Sequence, residues 1–138
     1  MSNLVDAVAD LLEGLEGVAE VRRYGLGAPK QSPALVVDLV SEVEDDPQEL
    51  GAESLILRQT VMVSAVVRVT HLSLAPAARD LALTLARGAR RALAADPTLG
   101  GACLTSRAGE TEHAYPKIDG QDYSLAVTPI EVLIEEAL

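Results

Sequence analysis

Between Leu55 and Val69 the chain reads LILRQTVMVSAVVRV, and from Val61 onward the odd positions Val61, Val63, Ala65, Val67 and Val69 are all apolar. Met62, Ser64, Val66 and Arg68 form a more mixed row between them. A period of two built from β-branched residues predicts a strand with one buried face and one partly wet face. At about 3.3 Å per residue such a stretch would span roughly 50 Å. A compact domain of this length is only about 35–40 Å wide. The strand must therefore project past its own core, with Arg58, Gln59 and Thr60 in the overhang, or else bend, or split in two at a kink near Gln59. An overhanging strand exposes backbone donors and acceptors and invites a second subunit.

The other elements follow from the same kind of pattern. Leu4, Val8, Leu11, Leu12 and Leu15 repeat at helical spacing with Asp6, Asp10 and Glu13 between them, and Gly14 and Gly17 bracket the stop. Asn3 is suited to cap the start, so a helix is expected over 3–16. Ala19–Tyr24 predicts a short strand, and Gly25–Pro33 a loop. Ala34–Val43 is nearly continuously apolar and predicts a covered strand. The polar stretch Glu42–Gly51 then connects it to Leu55–Val69 as a long antiparallel hairpin.

After His71, the positions Leu74, Ala78, Leu81, Leu85, Ala89 and Leu93 mark one face of a second helix, with Arg79, Arg87, Arg90 and Arg91 largely off it. Pro76 fits a first turn and Asp96-Pro97 ends the helix. Gly88 inside it costs about 1 kcal/mol relative to alanine. Two strands close the chain. One falls within Gly101–Tyr115, interrupted at Ala108-Gly109. The other is Asp122–Ile134, where the apolar parity changes from odd (Tyr123, Leu125, Val127) to even (Ile130, Val132, Ile134). A bulge or bend at Thr128-Pro129 is expected, with proline favouring an edge. The sum is one α+β domain over residues 1–138. It has a single-layer, mostly antiparallel or mixed sheet with two helices packed against it, in the order α-β-β-β-α-β-β.

Composition narrows the function. A chain of 138 residues is long enough to bury a core, and its 49% apolar share comes from Ala, Leu and Val, without Phe or Trp. A formal charge of −10 argues against a nucleic-acid partner. No apolar run approaches a membrane span, and the acidic start is unlike a signal peptide, so a soluble cytoplasmic chain is expected. The lone Cys103 cannot form an internal disulfide.

Catalytic patterns are missing. His71, His113 and Cys103 lack metal-ligand spacing. Gly25-Leu26-Gly27 lacks the remainder of a phosphate loop. The acids of Glu42–Glu49 lack the calcium-loop arrangement, and Ser64, Ser73, Ser106 and Ser124 sit in no nucleophile motif. Neither an enzyme nor a cofactor is expected. The helix arginines have two readings. They are the ordinary wet face of a helix, or they meet acids such as the Glu42–Glu49 loop of a neighbouring copy in a heterologous, ring-closing contact.

Four features together resemble the tail terminator proteins of long-tailed phages, including the minor tail protein U type. They are the opening helix leading through a short strand to SPALVVDLV, the long strand LILRQTVMVSAVVRVT, the helix end ALAADPTLGGACL, and the closing strand from Tyr123 to Ile134. In the third, Leu93, Asp96, Leu99 and Gly101 fit the family's L-x-x-D-x-x-L-x-G habit. The resemblance spans nearly the whole chain. It implies a non-catalytic hexameric ring that caps the head-proximal end of the tail tube, stops its polymerisation and docks the head. The implied partners are the chain itself, the tail tube protein and a head–tail connector protein, in the virion and, during assembly, the host cytoplasm. The subunit interface is then expected at Arg58 and Gln59, at Glu44, Asp45 and Asp46, and at Arg87, Arg90 and Arg91. Two alternatives stand beside it: a head-completion or connector protein, and a small cytoplasmic dimeric ligand-binding module.

Overall fold

The computed structural model describes residues 3–25, 28–44 and 54–137. Its elements are α1 (Leu4–Leu12), β1 (Glu20–Arg23), β2 (Ala34–Glu44), β3 (Ser54–Val69), α2 (Ala75–Ala94), β4 (Thr105–Ala108), β5 (Glu112–Ala114), β6 (Lys117–Ile118) and β7 (Gln121–Ala137), with a 3-10 turn at Leu72–Leu74 before α2. The fold is α+β. One mixed sheet runs β1-β2-β3-β7-β4, and β5 and β6 continue along β7 in line with β4. Only β1 and β2 are parallel. Both helices lie on one face of the sheet and touch each other.

The period of two predicted the buried face. Val61, Val63, Ala65, Val67 and Val69 of β3 meet Leu35 and Val37 of β2 and Ala126, Ile130 and Val132 of β7 beneath the helices. From α1 the core takes Leu4, Val5, Val8, Ala9 and Leu12. From α2 it takes Ala78, Ala82, Leu85, Ala86, Ala89 and Leu93. Burial of this set at roughly 25 cal/mol per Å² of apolar surface is the main term holding the layers together.

Several expectations change at this level. The first helix ends at Leu12 rather than 16, because the chain turns at Gly14 and takes a left-handed φ of 87° at Gly17. Leu15 nonetheless reaches the core, lying against α2 where Gly88 leaves space; a Cβ there would come within 3.3 Å of Leu15 Cδ2. Leu74, in the turn before α2, and Leu81 on α2 are exposed, and alanines 82 and 86 line the core instead. The buried stripe is mostly small residues, which lets the helix lie close to the sheet.

No parity flip occurs in β7. Its register with β3 is unbroken from Asp122↔Val69 to Ala137↔Ser54, and the even positions from Ser124 to Val132 are buried throughout. The apparent flip arose because Ser124, Ala126 and Thr128, the small residues under α2, do not read as core. Tyr123, Leu125 and Val127 pack the opposite face instead. Pro129 is not at an edge either, since β7 lies between β3 and the β4–β5 side. It is tolerated because its missing N–H points at the break between β4 and β5, where its carbonyl accepts from the Gly109 N–H at 2.7 Å.

The long strand is unbroken. β3 is one continuous strand of 16 residues, not two strands divided near Gln59. The extra residue lies in the partner strand, where the register shifts between Leu39 and Ser41 around Val40. From Thr60 back to Leu55 every β3 side chain is only half-buried. Here the ends of β2, β3 and β7, with β4 alongside β7, form a four-stranded arm that is less covered than the rest of the sheet, although Val132 within it is fully buried and Ile134 packs against the core.

Candidate subunit interface

Within the arm, side chains alternate between the helix side and the outer side of the sheet. Gln59 pairs with Glu42 and Val132 on the helix side. Arg58 pairs with Val43 and Leu133 on the outer side. The two residues expected to act together therefore serve opposite surfaces. The Gln59 amide donates to Glu42 Oε1, and Arg58 Nη1 lies 3.5 Å from Glu131 Oε1.

The backbone of Glu44 ends β2 opposite Leu57. Its side chain, with Asp45 and Asp46, lies outside the described residues. Arg87 and Arg91 are exposed on the outward side of α2. Arg90 is turned inward: its guanidinium donates to the Gly109 carbonyl and lies 3.3 Å from Thr111 Oγ1, which in turn is 2.7 Å from Thr128 Oγ1. It joins α2 to the β4–β5 connection, a role internal to the chain.

Sequence reasoning missed the two edges of the arm. β1 stops at the pair Arg23↔Val37, with Tyr24 N–H donating to the Val37 carbonyl. Beyond that, no strand pairs the outer edge of β2 from Asp38 to Glu44 among the described residues. Leu39, Val40 and Val43 on this edge are 44%, 57% and 55% exposed. The opposite edge is β4, equally unpaired on its outer side among the described residues. There the Arg107 side chain is 85% exposed and 3.8 Å from Glu131 Oε2. A shallow hollow lined by Arg58, Thr105, Arg107, Glu131 and Leu133 opens beside it.

The flanks differ in charge. The β1–β2 side carries Asp38 and Glu42, and beside them Arg23, which is held by Asp6, Asp10 and Glu13 at 2.8, 2.6 and 2.8 Å. Those hydrogen bonds, Asp6 first, keep the Arg23 guanidinium still more firmly protonated than usual. The other side carries Arg107 and, on α2, Arg79, Arg87 and Arg91, with Glu110 and Glu112 further down the edge.

The segment matching the helix-end motif has a structural role. Asp96 accepts from the Gly100 N–H at 3.0 Å and the Thr98 hydroxyl at 3.2 Å, fixing the turn that brings Leu99 into the core. Gly101 takes a φ of 89° in that turn. Cys103 follows, its thiol pushed above the usual value by burial and then by Asp96. Among the described residues, no cluster of His, Cys, Asp and Glu is arranged to hold a metal, and no helix is long and apolar enough to cross a membrane.

Comparison with protein-family models and with curated protein sequences gives no match.

Proposed function

We propose that this chain is a structural virion protein that assembles as a ring, six-fold by its resemblance to the tail terminators. In this reading the ring caps the head-proximal end of a phage tail tube, ends its polymerisation and presents a surface for the head–tail connector. The observation that carries the proposal is the polarity of the arm: one sheet with two unlike edges that are open among the described residues, with Asp38, Glu42 and exposed Leu39, Val40 and Val43 at β2 and Arg107 at β4. A two-fold dimer would join like patches, whereas unlike patches on one molecule favour a head-to-tail contact that closes into a ring. Such an arrangement has no need of a catalytic group or cofactor.

The test is tube capping. Added to polymerising tail tube protein, the chain is expected to shorten the tubes and to appear at one end of each by electron microscopy. Tubes of unchanged length with bare ends would overturn this function. Binding to isolated portal rings instead of tubes would move the protein to the head-completion class.

A further inference from the structure

The two open edges lie at the same height on the sheet. Reading across β4, β7, β3 and β2, Arg107 stands level with Glu131, Thr60 and Ser41, and Thr105 stands level with Leu133, Arg58 and Val43. β2 runs antiparallel to β3, β3 to β7, and β7 to β4. β2 and β4 therefore point in opposite directions, as neighbours in an antiparallel sheet must. A second copy rotated about an axis roughly along the strands would bring its β4 beside the first copy's β2 without a shift in height.

We propose that copies of this chain join by strand addition, with the Asp38–Glu44 edge of β2, which no described strand covers, pairing antiparallel with Thr105–Ala108 of the next copy. The sheet then continues from subunit to subunit. The occupant of each edge is the other edge of a second copy, and three observations select it. Both edges leave backbone groups unpaired over a matching stretch among the described residues, which is the requirement for strand addition. Their charges are complementary: Arg107 and Asp38 are both on the outer side of the sheet, and pairing brings Arg107 diagonally opposite Asp38, within reach of a long side chain. The exposed Val43 comes level with Thr105, beside the hollow floored by Leu133. Its apolar surface is then removed from water.

The inference deepens the ring reading and rests on it, so its test reads the two separately. In a Cys103→Ser background, Val43→Cys and Thr105→Cys are introduced together and oxidised at high protein concentration, while native mass is measured on the reduced sample. Edge pairing predicts a ladder of disulfide-linked multimers on a non-reducing gel, which neither single cysteine produces. A ring in native mass without a ladder overturns the edge pairing and leaves the ring standing. A monomer without a ladder overturns both.

Charge reversal guards against misfolding as an explanation. Arg107→Glu is expected to raise the concentration needed for assembly at least tenfold, and adding Asp38→Arg to the same chain is expected to restore it. Arg107→Glu without effect would count against the pairing, as would a double variant no better than the single.

Discussion

Arg23 shows how much a single side chain organises here. It ends β1, yet its guanidinium spans Asp6, Asp10 and Glu13, which lie along one side of α1 and in the turn after it. The helix is thus tied to the acidic flank of the sheet by one cation facing three carboxylates. Arg23→Ala removes the cation and leaves three like charges together. Since an exposed pair contributes about 0.2–1 kcal/mol, the loss for the network is expected at about 1–2 kcal/mol by urea unfolding. A midpoint unchanged from the parent would show that the helix is held by apolar burial alone. Gly88 acts by absence. Valine there would collide with Leu15 and is expected to cost about 1–3 kcal/mol, more than helix propensity accounts for. If Leu15→Ala combined with Gly88→Val recovers part of that loss in a double-mutant cycle, the contact is confirmed; strict additivity would deny it. None of this was legible in the sequence. The acids of α1 suggested only a wet helix face, and Gly88 only a propensity penalty, because both depend on what another element brings opposite them.

At the scale of elements, the strongly periodic segments were readable. The alternation of Val61–Val69 identified both the strand and its buried face, and the two helices announced themselves by their spacing. The misreadings share a cause. Ser124, Ala126 and Thr128 are core positions because alanine-lined α2 leaves no room for larger side chains, and small or polar residues carry no hydrophobic signal. Ala126→Leu is therefore expected to destabilise by overpacking, by about 1–3 kcal/mol. A variant as stable as the parent would mean that α2 is not packed close to the sheet there. Leu81 failed in the opposite direction, as an apolar residue left outside because α2 rests on its alanines, and Leu74 stays exposed in the turn before the helix. The division into β4 and β5 was partly visible at Ala108-Gly109. Its relation to Pro129 was not, since it needed the register of a strand some twenty residues away. Arg58 and Gln59 do fall in the less covered arm, but the edges that carry Arg107, Asp38 and Val43 exist only once strand order is known.

For the whole molecule, the consequence is polarity. Helices cover one face of the sheet, its less covered part forms an arm, and the arm's two edges differ in charge and match in height. A chain with a formal charge of −10 repels its copies at long range, so the proposed association would have to rest on local complementarity at short range. Native mass reads the proposed assembly without any partner added. Native mass spectrometry across a wide range of protein concentration is predicted to show a six-fold species, growing from monomer as concentration rises. A strict dimer or a strict monomer at every concentration would contradict it.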